Sequence, residues 1–167
     1  TEEKGRKVFK PDGTYQKIAA VERHKNTGKI GVGIVKGFGL RGGAIASSVS
    51  HDSHNLIVIG DNDHDMYLAV QELLRTQGGY TLVENGQVFD TLPLPIMGLM
   101  SDAGYEKVNE KLARMIPKAH EMGIPEGFDP FITLSFMALP VIPEIRITPR
   151  GVYLTQEDRM IQSPFDR

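Results

Sequence analysis

The chain has 167 residues, 40% of them hydrophobic, and its 19 basic and 21 acidic side chains leave a formal net charge of −2. That length suits one domain, which buries roughly 70% of its unfolded surface, and the near-neutral balance removes the electrostatic case for nucleic acid or an anionic membrane as partner. With no cysteine there are no disulfides, no thiolate nucleophile and no Cys-ligated zinc, including the H-x-E…P-C-x-x-C pattern.

No apolar run approaches the ~20 residues of a membrane span and no signal peptide is visible, so a cytoplasmic location is expected. The chain opens on Thr1 rather than Met, which marks it as an expected piece of a longer polypeptide. Residues 1–167 are read as one domain, with 1–14 and 155–167 peripheral.

In chain order, Pro11-Asp12-Gly13 is a turn, and the partly alternating run Tyr15–Val21 is a strand that Val8-Phe9 would pair with as a hairpin. Glu22-Arg23-His24-Lys25 and the turn Asn26-Thr27-Gly28 lead to Ile30–Val35, an apolar strand with two interleaved glycines, the mark of a bulge or a close backbone approach. Gly37–Gly43 holds four glycines, but its spacing is neither G-x-G-x-x-G at a strand-to-helix turn nor a P-loop, so a connector is expected there. Ala44–Val49 and Leu56–Ile59 read as buried strands, the second suited to a central position covered on both faces.

Asp61–Asp65 precedes apolar positions 66, 69, 70, 73 and 74 at helical spacing, with Gly78-Gly79 as the expected C-cap. Tyr80–Val83 and Gln87–Leu92 flank Asn85-Gly86, a hairpin signal. After the proline-bearing segment 93–100, Ser101 is the expected cap of a helix over 102–122, which Pro117 should kink or divide and Gly123 should close. Asp129-Pro130 looks like a cap and first helical turn, but periodicity does not decide between strand and helix for the run 131–139, read as buried. Residues 144–148 alternate as an edge strand, 151–154 form another, and a tail follows. The fold class expected is α+β: a mixed or antiparallel sheet with about three helices.

The richest stretch in chemistry is 50–55, six polar residues in a row, Ser50-His51-Asp52-Ser53-His54-Asn55, set between two runs that read as core. It has neither Gly nor Pro, though ordinary turns favour them, and it spends two histidines and a carboxylate. In extended backbone His51 and Ser53 face one way and Asp52 and His54 the other, so the histidines pair only if the backbone turns between them. The bland alternative is a polar turn whose side chains satisfy local backbone donors.

Other candidates read more simply. Asp61-Asn62-Asp63-His64-Asp65 starts like a calcium loop but lacks Gly at the sixth place and a closing Glu, so helix capping is expected. Glu22-Arg23-His24 reads as a strand end with solvated charges, His120 as dipole compensation near a helix C-terminus, and Met97, Met100, Met115, Met122 and Met137 as core filler.

The stretches VKGFGLRGGAIASSVSHDSHNLIVIG, LPLPIMGLMS and DPFITLSFMALPVIPEIRIT, which fall between Val21 and Val152, resemble the C-terminal domain of bacterial adenine deaminases of the amidohydrolase superfamily. The resemblance implies hydrolysis of adenine to hypoxanthine and ammonia, with a divalent metal (manganese, iron or zinc) held by a (β/α)8 barrel that lowers the pKa of its bound water. This chain has no H-x-H and no eight-fold β/α alternation, so the barrel is absent, no metal ligands are assigned here, and activity of the fragment alone is not expected. The expected partners are the polypeptide's own N-terminal catalytic barrel, adenine, and further copies in a homo-oligomer. On this reading His51, Asp52 and His54 are the catalytic candidates, His51 or His54 shuttling a proton, and Ser53 and Asn55 the substrate-binding ones, with Asp52 and Asn55 set to bond purine ring nitrogens. The alternatives are a structural or oligomerisation domain using segments 93–100 and 139–143 as an interface, and a self-sufficient metal hydrolase built on His51, Asp52 and His54.

Overall fold

β-Branched and alternating runs become strands at the expected places. A computed structural model describes residues 9–161, together with the backbone of residues 2–3 and 6–7. The strands are β1 (Glu2–Glu3), β2 (Arg6–Lys7), β3 (Tyr15–Val21), β4 (Ile30–Lys36), β5 (Gly43–Ser47), β6 (Leu56–Gly60), β7 (Gly79–Glu84), β8 (Gln87–Pro93), β9 (Ile145–Thr148), β10 (Gly151–Leu154) and β11 (Arg159–Ile161); the helices are α1 (Asp63–Arg75), α2 (Tyr105–Glu121) and α3 (Pro130–Phe136). The hairpin partner proposed for β3 rests on Val8, which lies outside the described residues.

Six strands form one sheet in the order β4-β3-β6-β5-β7-β8, and each neighbouring pair is antiparallel. β6 and β7 both pair with β5 and therefore run parallel to each other, so α1 is the crossover that carries the chain over β5 from one to the other. β6 shows why a run without polar residues belongs in the middle: Ile57 and Ile59 enter one core and Leu56 and Val58 the other. The larger core lies beneath α2, α3 and β9, with Met115, Ala119, Phe131, Leu134 and Ile147 packed on Ile45, Leu82 and Leu92. The smaller core lies beneath α1, where Met66, Ala69 and Leu73 meet Ala44, Ala46 and Val58. A second antiparallel sheet, β11-β10-β9, leans on β3 and β4. The architecture is thus a single small α+β domain with an open sheet, not a barrel.

Several boundaries differ from the sequence reading, each for a local reason. The first turn of α1 is capped by Asn62, whose Oδ1 accepts from Asp65 N at 2.8 Å, while the Asp61 carboxylate takes the amides of Gly42 and Gly43 at 2.5 and 3.1 Å. These contacts confirm capping in place of a calcium loop. α1 ends at Thr76 rather than at the glycines: Gln77 adopts the left-handed φ of 61°, and Gly78 N donates to Leu73 O at 2.8 Å. α2 starts after Gly104 rather than Ser101, whose hydroxyl instead holds Ala103 N.

Pro117 does not divide α2, which runs unbroken from Tyr105 to Glu121. The undecided run 131–139 is helical as far as Phe136, because Asp129 Oδ1 accepts from both Phe131 N and Ile132 N, at 2.8 and 2.9 Å. Residues read as a tail include a 3-10 turn, Thr155–Glu157, and β11. Met115 and Met122 are core filler, but Met97, 74% exposed, and Met100 are not.

Candidate functional site

Antiparallel pairing gathers three connections at one end of the main sheet: turn 22–29 between β3 and β4, the polar knot 48–55 between β5 and β6, and segment 94–100 after β8. Arg23 binds them together. Its Nε donates to His54 O at 2.5 Å, its Nη2 to Met97 O at 2.7 Å, and its amide to Asn55 Oδ1 at 3.3 Å. Burial pushes its guanidinium below the ordinary arginine value. Gly98 lies beneath it at a φ of 75°, a conformation that favours glycine, and a Cβ there would stand 2.7 Å from the guanidinium. Ser48 completes the floor, accepting from Gly79 N at 2.8 Å and donating to Gly98 O at 2.6 Å.

This corrects the reading of Glu22-Arg23-His24 as solvated charge. Glu22 folds back on its own turn, Arg23 is half-buried as a brace, and His24 Nε2 lies 2.7 Å from Ser53 O. No sequence pattern announces this role, because the arginine's acceptors are backbone carbonyls 31 and 74 residues away.

Within the knot the backbone does turn. His54 N donates to Ser50 O at 2.6 Å and His54 takes a φ of 49°, which brings the His51 and His54 rings to 5.9 Å. The Asp52 carboxylate, 81% exposed, lies 3.5 Å from His51 Nδ1. Asn55 is buried and tied to Arg23, and Ser53 Oγ accepts from Asn55 N at 3.5 Å. Of the five buried side-chain polar atoms without a hydrogen-bond partner among the described residues, two lie in the knot, Ser50 Oγ and His54 Nδ1. Burial, reinforced by His51, Arg23 and His24 and opposed by Asp52, lowers the His54 pKa below the ordinary imidazole value. The structure also brings in a residue that sequence reasoning left in the core: Phe136, at the end of α3, whose ring stacks on His51 at 5.3 Å with 15° between planes.

The chain matches the model of the adenine deaminase C-terminal domain over residues 1–159. It belongs to that family. It is 58% identical over 154 residues to the adenine deaminase of Desulfitobacterium hafniense, covering 92% of this chain and 27% of the relative. It is 54% identical to that of Nitratidesulfovibrio vulgaris strain DP4 and 49% identical to that of Bacillus subtilis, covering 87% of this chain each time and 25% and 26% of the relative. The chain thus spans about a quarter of the length of these adenine deaminases.

Among the described residues, no three His, Asp or Glu side chains come together as a set that could hold the metal that the adenine deaminase resemblance implies. His51, Asp52 and His54 are not drawn together as such a group. Nor does any described helix have the length and apolarity to cross a membrane. His120, at the end of α2, pairs its Nδ1 with Ile124 O at 3.0 Å and stays structural.

Proposed function

We propose that this chain is the C-terminal domain of a metal-dependent, cytoplasmic, oligomeric adenine deaminase, and that residues 51–55 complete the purine site against an N-terminal catalytic barrel of the same polypeptide. The reaction joins the oxygen of water to the amidine carbon of adenine and breaks the bond to the exocyclic nitrogen, giving hypoxanthine and ammonia. The divalent metal (manganese, iron or zinc) belongs to the barrel, and no step is assigned to it through these side chains.

The observation that carries the reading is the pair of orphaned atoms, Ser50 Oγ and His54 Nδ1, buried beside the exposed Asp52. An unmet buried polar group costs about 1–3 kcal/mol, a cost that a rearrangement of the knot against a docked barrel or a bound purine would relieve. In that assembly His51, with Asp52 beside it, and His54, kept neutral by burial, are the groups that pass a proton to or from the purine. Ser53 and the side chain of Asn55 contact the ring.

The second reading is a structural or oligomerisation domain. Its support is the exposed apolar set Ile96, Met97, Met100 and Val141 in the proline-broken segments 93–100 and 139–143. Adenine turnover by the full-length enzyme carrying His51→Ala and His54→Ala together separates the two. A loss of 100-fold or more, about 2.7 kcal/mol of transition-state stabilisation, with metal content and thermal stability unchanged, is expected for a purine-site role. Near-normal turnover sinks it and leaves the scaffold reading.

A further inference from the structure

α3 is seven residues long and has two apolar faces. Phe131, Leu134 and Ala138 just beyond it enter the larger core, whereas Ile132 and Phe136, one turn apart on the other side, are 53% and 41% exposed. A helix built only to cover the sheet would carry polar residues on that outer face. The exposed phenyl ring meets the knot: His51 lies nearly parallel over it, keeps 39% of its side chain in solvent, and has the His54 ring 5.9 Å away at 58°. Three rings from two segments far apart in sequence thus converge at the open end of the sheet, with Ile132 as an apolar lip.

We infer that Phe136 and His51 form a stacking wall which a planar purine ring extends, making Phe136 a substrate-contacting residue of the site. This rests on the purine-site reading above and deepens it. Aromatic rings favour offset-stacked or edge-to-face neighbours, and a heteroaromatic base stacks on a phenyl face without needing hydrogen bonds. The knot's polar atoms then read the ring edge while the wall fixes its plane. A protein surface packed over the same face would use Phe136 as apolar area alone, without regard to its flat ring.

The deciding measurement is the dissociation constant of hypoxanthine, the product, from the full-length metal-loaded enzyme with Phe136→Leu and Phe136→Tyr. Leucine keeps the apolar volume and removes the ring; tyrosine keeps the ring. The expected result is about a tenfold weakening in Phe136→Leu (about 1.4 kcal/mol) and near-native affinity in Phe136→Tyr, with thermal midpoints unchanged in both. Native affinity in Phe136→Leu overturns the wall. If the His51→Ala, His54→Ala enzyme has meanwhile lost its turnover, the purine-site reading survives without it; if turnover too is normal, both fall. Native affinity with a lowered thermal midpoint also overturns the wall, and assigns the face to protein contact.

Discussion

Glu22 shows how much one side chain organises at the site end of the molecule. Its Oε1 accepts from His24 N and Lys25 N at 2.6 and 2.7 Å, and its Oε2 accepts from the amide and hydroxyl of Thr27, both at 3.0 Å. The Thr27 amide foremost, with those of Lys25 and His24 and against a desolvation penalty, pulls its pKa from 4.5 to about 2. A carboxylate whose folded pKa lies below its unfolded one stabilises the fold above the unfolded value and loses that stabilisation as pH falls. The acid limb of the stability curve should therefore slope between about 4.5 and 2, and Glu22→Gln should flatten it there. Urea midpoints at pH 5, 4 and 3 check this, and an unchanged slope counts against it. His54 acts in a higher window: its imidazole is held neutral, so the unfolded chain takes up the proton first and stability declines as pH drops below 6.5. Neither the Glu22 turn nor the Arg23 brace was legible in the sequence, where Glu22-Arg23-His24 looks like any charged strand end. The residue types carry no trace of acceptors that only tertiary contact supplies.

Elements were far more legible, because period and turn chemistry act locally. The Asn85-Gly86 hairpin folds with both residues at positive φ, 48° and 80°, and β3 spans Tyr15–Val21 as its alternation requires. The failures came where two local signals competed. α3 has too few residues to show a period, and its Asp129 cap decided the matter only through hydrogen bonds that are visible in the fold. At the end of α1 the glycine pair drew the cap two residues too far along. Gln77 already takes the left-handed position, and Gly78 after it is held glycine twice over, by its own φ of 116° and by a Cβ that would stand 2.5 Å from Gly98 Cα. A glutamine at a φ of 61° is strained by its own Cβ, whereas glycine is not. Gln77→Gly should therefore stabilise the chain by about 0.5–1 kcal/mol despite the greater freedom of the unfolded glycine. Chemical denaturation reads this directly, and a destabilised variant would mean that the Gln77 side chain makes up the difference.

On the scale of the whole molecule, the six-stranded and three-stranded sheets are joined by a contact that only a glycine permits. A Cβ on Gly31 in β4 would lie 1.9 Å from Thr148 O and 2.7 Å from Gly151 N, so the β9–β10 hairpin rests directly on the β4 backbone. The sequence did signal a close approach within Ile30–Val35, but not its partner, which is more than a hundred residues further along. That hairpin is in turn tied to the candidate site: Ile147 N donates to Met137 O at 3.0 Å, one residue beyond Phe136. Gly31→Ala must push the hairpin away, since neither neighbouring atom belongs to a flexible side chain. The main sheet has cores on both faces, and the hairpin lends only Ile147 and, at the margin, Val152 to the larger one. Hydrogen exchange of the Gly31→Ala chain should therefore show the β9 and β10 amides losing protection while those of β5 and β6 keep theirs, a sub-global opening rather than a loss of fold. Equal loss in all four strands would mean that the two sheets form one cooperative unit. In that case the knot end of the domain and the small sheet behind α3 stand or fall together, and any change at the hairpin would reach the Phe136–His51 stack.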